Sequence, residues 1–439
     1  MLPLRTMAYL GLFGLAMLGA IFYHPIVGLY AYLVTYNINP MGQWWGGFLP
    51  EWAMRYSYWL VIATTLGVII HWSKLKFVTF LERQEVLLLL FLGIIWLSVL
   101  VGQGWEVHYN VTKMTKVVFV LLLASHLVTT YRFYEGMLWI LIIAGFYLGY
   151  EMYSGAGTYW GGRFHAGVGG SDFGEGNFLA AHFAFILPFI GVMFLKGAWK
   201  VRGLCLLSAV FIINAIVITR SRGAFLALAV GALAALFWGM WLKGHRKKVL
   251  VLITLGIVGG VYLTDPGFWG RMETIQPSSD EVMQTRDASA EGRLDAWRGA
   301  WAMVQDYPLG VGVNESFNFM GYYMPHLEGR DIHNTYFRCL AELGFHGLFL
   351  LVLLIGNAFI MLFAIERSAK TLDTNRAQAY HLHAFALKIS LVIYLSAAMF
   401  ISSVFIEEFY WMLMMPVFLK RALDNEIQEL GIQPDAYRT

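Results

Sequence analysis

The sequence predicts an all-α fold, a polytopic membrane helix bundle, and three observations carry that reading. Hydrophobic residues make up 58% of the 439 and charged residues only 13%, against about 25% charged in soluble domains. Apolar runs such as 86–101, 204–218 and 224–241 approach the roughly 20 residues that cross a hydrocarbon layer about 30 Å thick. Short loops rich in lysine and arginine recur between these runs, as topology requires of the cytoplasmic side. The net charge of +3 matters less than its distribution, and nucleic acid is not indicated as a partner. Cys205 and Cys339 fall in distant apolar stretches, which suggests neither a disulfide framework nor a cysteine metal site.

In chain order, spans are expected near 7–36 (one long segment, broken at His24-Pro25), 56–72, 86–102, 113–130, 137–151, 178–195, 204–219, 223–242, 249–264, 335–364, 386–402 and 404–419, about twelve by the length criterion. The first run follows Arg5 but lacks a small-residue cleavage site, so it reads as a retained helix rather than a signal peptide. Three loops orient the chain: Lys74, Lys76 and Arg83; Lys196, Lys200 and Arg202; Lys243, Arg246, Lys247 and Lys248. Parity then places Lys370, Arg376, Lys420 and Arg421 on the same face, with both termini cytoplasmic. The opposite face receives 37–55, 103–112, 152–177, the turn at 220–222, and a long loop, 265–332, between helices 9 and 10. Leu294, Trp297, Trp301 and Val304 recur in that loop at helical spacing and Pro308 ends the pattern, so part of it reads as an amphipathic helix on the membrane surface. Three regions follow: an N-terminal transmembrane region (1–150), a central region containing the loop (151–365), and C-terminal helices with a tail (366–439).

The outward segments carry Arg55, Arg163, Arg220, Arg222, Arg271, Arg286, Arg293, Arg298 and Arg330 but no lysine. Guanidinium is a planar fork that grips phosphate bidentately and stays charged in apolar surroundings. Such a collection suits a phosphate held near the headgroups, although arginines that snorkel or pair with carboxylates fit the same pattern. In Ile218-Thr219-Arg220-Ser221-Arg222-Gly223 the turn is so short that both arginines stand at a helix mouth, where the following helix N-terminus favours an anion. In Glu291-Gly292-Arg293-Leu294-Asp295, a surface ion pair explains Arg293 nearly as well as a ligand does. In Asp331-Ile332-His333-Asn334-Thr335-Tyr336-Phe337, Asn334 or Thr335 fits a helix cap, and His333 fits either a structural role or proton transfer near neutral pH. The stretch from Gly161-Gly162-Arg163 to Gly176-Asn177 is glycine-rich without a phosphate-loop pattern. The outer carboxylates are scattered, so no metal site is expected.

Taken in order, Thr219-Arg220-Ser221-Arg222-Gly223-Ala224-Phe225, then Gly292-Arg293-Leu294-Asp295-Ala296-Trp297 with Tyr307-Pro308-Leu309-Gly310-Val311-Gly312, then His333-Asn334-Thr335-Tyr336-Phe337 followed by Glu342 and Gly344, resemble the O-antigen ligase and O-antigen polymerase superfamily over roughly residues 160–350. Toward the N-terminus, Pro25-Ile26-Val27-Gly28, Asn39-Pro40, Trp44-Trp45-Gly46 and Leu49-Pro50 look like the exosortase-associated O-glycosylation ligase subgroup. The resemblance implies a bacterial inner-membrane enzyme with a periplasmic site. It would take an undecaprenyl-pyrophosphate-linked glycan donor, a glycan, lipid or protein acceptor, and neither metal nor other cofactor. Arg222 and Arg293 would hold the pyrophosphate and His333 would activate the acceptor, with Arg220, Arg163, Asn334 and Tyr336 as further substrate contacts. The family's first arginine aligns with either Arg220 or Arg222. Ligase and polymerase differ only in the acceptor, and both stay open. A transporter or flippase of lipid-linked sugars is the competing class, although that class usually shows internal repeats and polar residues at the bilayer midplane.

Overall fold

The computed structural model describes residues 2–75, 81–104, 107–242, 244–273 and 288–432; Lys76, Lys243 and Arg286 lie outside them. The order is α1 (Leu4–Leu18), α2 (Ile26–Ile38), α3 (Glu51–Met54), α4 (Tyr56–Ile70), α5 (Arg83–Val101), α6 (Tyr109–Leu127) and α7 (Tyr131–Tyr153), then a hairpin of β1 (Thr158–Trp160) and β2 (Arg163–Ala166). There follow α8 (Gly176–Lys196), α9 (Trp199–Thr219), α10 (Arg222–Gly239), α11 (Arg246–Leu263), α12 (Pro266–Glu273), α13 (Ala288–Asp306), α14 (Ser316–Tyr323), α15 (Thr335–Ser368), α16 (Thr374–Ala397) and α17 (Glu407–Glu429). Among the described residues nine helices are long and apolar enough to cross a membrane, or ten if α11 and α12, bent by 107°, count as one. The all-α polytopic architecture is thus as expected. The centre is formed by α8, α16 and α17, which bury residues around most of their circumference. Helix α11 buries only Val249 and leaves the rest of its apolar surface for lipid.

The N-terminal segment departs from the expected single broken span. Thr6 Oγ1 donates to the Trp45 carbonyl at 3.1 Å and Arg5 lies over the Trp44 ring, so the start of α1 sits beside the loop that follows α2. At the other end the His71 ring lies 3.1 Å from the Ile21 carbonyl. The chain therefore reverses at His24-Pro25, and α1 and α2 run antiparallel. Proline ends the first helix because it lacks the donor and clashes with the preceding turn. Lys420 pairs with Glu82 at 2.9 Å and Arg376 with Glu426 at 2.9 Å, so α17 finishes at the lysine-rich end. The start of α1 and the end of α17 therefore lie at opposite ends of the bundle.

The long loop is built as expected around an amphipathic helix, α13, with α12 and α14 beside it. Its attachment is specific. Gly344 takes φ 67°, ψ −170° and interrupts α15, which frees carbonyls one turn earlier. Val311 N–H donates to the Ala341 carbonyl at 2.9 Å, Gly312 N–H to Glu342 at 3.1 Å, and Phe345 N–H to Pro308 at 3.1 Å. A Cβ on Gly344 would stand 2.3 Å from the Pro308 oxygen, and one on Gly310 would stand 2.4 Å from the Glu342 oxygen. Both positions also have positive φ, which only glycine adopts without cost.

Candidate functional site

Three guanidinium groups meet where α9 turns into α10. A narrow cleft is lined by Arg222, Arg271 and Arg293, with Asn177, Ser221, Gly223, Ala224, Ala397, Phe400 and Ile401. No carboxylate is among these described lining residues. Arg222 opens α10, whose first turn is capped by Ser221 Oγ accepting from Ala224 N–H at 3.4 Å. The uncapped N–H groups of that turn add a partial positive charge to the same cleft. Gly223 lets α10 approach the segment after α16 closely, since a Cβ there would stand 2.9 Å from the Phe400 Cβ. Arg293 comes from α13, held over the cleft by Trp297 stacking on Phe337 at 5.6 Å. Arg271 comes from α12, and its Nε donates to the Arg220 carbonyl at 3.0 Å.

Arg163, on β2, supports this group from behind. Its Nε donates to the Thr219 carbonyl at 2.8 Å and its Nη2 to Asn177 Oδ1 at 3.0 Å, while Asn177 donates onward to Glu175 at 2.5 Å. Burial lowers the Arg163 pKa; Glu175 opposes that shift, and Arg293 and Arg222 add to it. Arg220 is engaged elsewhere. It takes φ 47° as the left-handed cap of α9, donates to Asp265 at 2.6 Å and reaches the Gly161 carbonyl at 3.2 Å.

His333 stands beside the cleft rather than lining it. Its backbone has φ 51°, and the next two residues stitch it to the cleft wall: Asn334 Nδ2 donates to Met399 O at 3.1 Å and Thr335 Oγ1 to Ile401 O at 2.7 Å. The imidazole is 36% exposed, with Nδ1 3.2 Å from Asp331 Oδ2. Asn334 also caps α15, accepting from Tyr336 and Phe337 N–H at 2.9 and 3.0 Å. Tyr336 donates its hydroxyl to Leu395 O at 2.8 Å. Expected as substrate contacts, Asn334 and Tyr336 thus have their polar atoms engaged in holding the α15 start in place. Arg271 was one of nine outward arginines in the sequence and nothing there distinguished it from Arg298 or Arg330; its place in the cleft follows from the α11–α12 bend. Among the described residues no group of three or more His, Cys, Asp or Glu is arranged to hold a metal ion.

Fold and cleft together define a multi-pass membrane protein that gathers positive charge at one face, in a pocket closed over by a docked helical loop. Residues 207–352 match the family model described as O-antigen ligase, which supports the O-antigen ligase and polymerase superfamily for this part of the chain, a family of glycosyltransferase-like enzymes. The match takes in Arg222, Arg271, Arg293 and His333; it does not reach the N-terminal residues that resemble the exosortase-associated subgroup. No curated protein matches the chain.

Proposed function

We propose that the chain is a metal-independent, inverting glycosyltransferase that moves a glycan from an undecaprenyl-pyrophosphate carrier to an acceptor hydroxyl at the periplasmic face. The observation that carries this reading is the convergence of Arg222, Arg271 and Arg293 on one cleft. A pyrophosphate departs readily once its growing charge is met by fixed cations in a site of low dielectric, and one such group contributes about 10²–10³ in rate. The acceptor oxygen attacks the anomeric carbon while the bond from that carbon to the phosphate oxygen breaks. The electron pair leaves with the lipid pyrophosphate, and the acceptor proton passes to His333. Attack opposite the leaving group inverts the anomeric centre.

Transfer from purified undecaprenyl-pyrophosphate glycan by the protein in lipid is the direct test. Arg222→Ala, Arg293→Ala and His333→Ala are each expected to abolish most turnover; undiminished turnover in all three would remove the site. Retention of anomeric configuration in the product would exclude the single displacement. We assign the lysine-rich end to the cytoplasm, so the arginine cleft and the start of α1 face the periplasm. A cysteine introduced near residue 5 is then expected to react with an impermeant thiol reagent applied from outside, and one near residue 420 only after permeabilisation.

A further inference from the structure

His333 belongs to a chain of charged groups that runs into the interior. Asp331 Oδ2 lies 3.2 Å from the imidazole Nδ1, and its other oxygen faces Arg338 Nη1 at 3.5 Å. Arg338 is buried. It donates through Nε to Glu342 at 3.0 Å and through Nη2 to Asn314 Oδ1 at 2.9 Å, and lies over the rings of Phe317 and Phe405. Glu342, fully buried, also accepts from Asn314 N–H at 2.7 Å and Ser316 Oγ at 2.6 Å. A flexible surface pair needs no such foundation. The left-handed backbone at His333 points the same way, because a non-glycine residue held there carries strain that the surrounding bonds must overcome.

We propose that Asp331 is a positioning residue for His333. Its carboxylate, fixed by the Arg338–Glu342 pair, holds the imidazole with Nδ1–H toward the protein and leaves Nε2 to take the acceptor's proton. This rests on the reading of His333 as the base. During transfer the proton moves from the acceptor oxygen to Nε2, the Nδ1 proton stays in place, and the imidazolium charge forms beside Asp331. That is the role a carboxylate plays behind a catalytic histidine in other hydrolytic and transfer sites. The proton then leaves to solvent from the half-open ring. Arg338, itself paired with Glu342 on α15, is the charged group that meets Asp331 from the neighbouring helix.

The test compares Asp331→Asn, Asp331→Glu, His333→Ala and the double variant Asp331→Asn/His333→Ala in the full-length protein, using lipid-linked donor and steady-state transfer. Asp331→Asn is expected to lower kcat by about 10- to 100-fold, the usual scale for a group that orients a catalytic one, with the donor KM unchanged. The acid limb of its pH–rate profile should move to lower pH, since removing the negative charge disfavours the imidazolium. Asp331→Glu, which keeps the charge, should recover part of the rate, and the double variant should be no worse than His333→Ala. Wild-type kcat and pH profile in Asp331→Asn overturn the inference while leaving the site intact, as does a double variant that loses activity additively or an Asp331→Asn protein that no longer binds donor. Full turnover in His333→Ala instead removes the underlying reading of the base.

Discussion

At the cleft, Arg222, Arg271 and Arg293 bring three like charges to a wall that shows no carboxylate among its described lining residues. In the neighbouring bundle, Asp172 accepts from Lys113 at 2.5 Å, from Tyr36 at 3.0 Å and from the Glu407 N–H at 3.0 Å. Glu407 accepts from Tyr32 and Trp411, both at 2.7 Å, and Glu408 bonds His182. In this second region each carboxylate meets donors within the protein, which is what burial demands of a charge that has no outside partner. The first region gathers three guanidinium groups at an opening. Buried ion pairs hold helices α2, α6, α8 and α17 together; guanidinium groups gathered at an opening suit an anion that arrives from outside.

The sharpest way to break this contrast is to mutate the matched network. Asp172→Ala leaves Lys113 without its carboxylate and is expected to destabilise the protein by roughly 3–5 kcal/mol, the usual result of removing one member of a buried pair. Thermal unfolding in detergent and the yield of folded protein measure that loss, while turnover per folded molecule should stay close to wild type. A stable variant that has lost transfer would put the acidic network in the reaction instead.

At the cleft the expected signs are exchanged. Arg222→Ala and Arg293→Ala should cost transfer about 10²–10³ in rate, as for the loss of one preorganised charge at a developing anion, and leave thermal stability nearly unchanged. Arg271→Ala belongs with them, and a lysine in its place should restore only part of the rate because a point charge loses the bidentate fork. Unfolding of these variants below the wild-type temperature would show that the three guanidinium groups serve the fold.

The docking of the loop on α15 offers an intermediate effect. Gly344→Ala forces a side chain into a backbone conformation that costs roughly 1–3 kcal/mol and drives its Cβ against Pro308 O. The expected outcome is faster amide exchange or proteolysis in α13 and a fall in transfer, with the rest of the bundle protected. Equal loosening of all helices would mean that the break in α15 supports the whole fold rather than the loop.

How much of this was legible in the sequence depended on how local the signal was. The α9–α10 turn and helix α13 were readable, since a turn of two or three residues forces its arginines to a helix mouth and Leu294, Trp297 and Trp301 repeat at helical spacing. The reversal at His24-Pro25 was not, because α2 has only 13 residues and the apolar run on both sides of the break has the length of one tilted span. The pairing of Gly310 with Gly344, and of Lys113 with Asp172, joins positions distant along the chain whose partners no local pattern names. Lys113 also sits at the arginine end of the bundle, paired with Asp172, although the expected span boundary at 113 had put it inside the membrane. For these arginines the sequence gives the segment but not the direction of the side chain, which is why Arg271 was indistinguishable from Arg298, whose guanidinium forms an exposed pair with Asp295.

The smallest expected effect decides between the two arginines that the family pattern left interchangeable. Arg220 pairs with Asp265, a carboxylate that is itself about half exposed, and burial opposes but does not cancel the lowering of the Asp265 pKa by the Phe268 N–H and by Arg220. An exposed pair of this kind contributes about 0–1 kcal/mol. Arg220→Ala should therefore reduce transfer by no more than about fivefold, the rate equivalent of 1 kcal/mol, because a side-chain truncation leaves in place the Arg271 Nε bond to the Arg220 carbonyl. Asp265→Asn should have an effect of the same size, because it weakens the same contact from the other end. A loss of 10²-fold or more in Arg220→Ala with little change in Arg222→Ala would reverse the assignment and move the phosphate-binding position from Arg222 to Arg220.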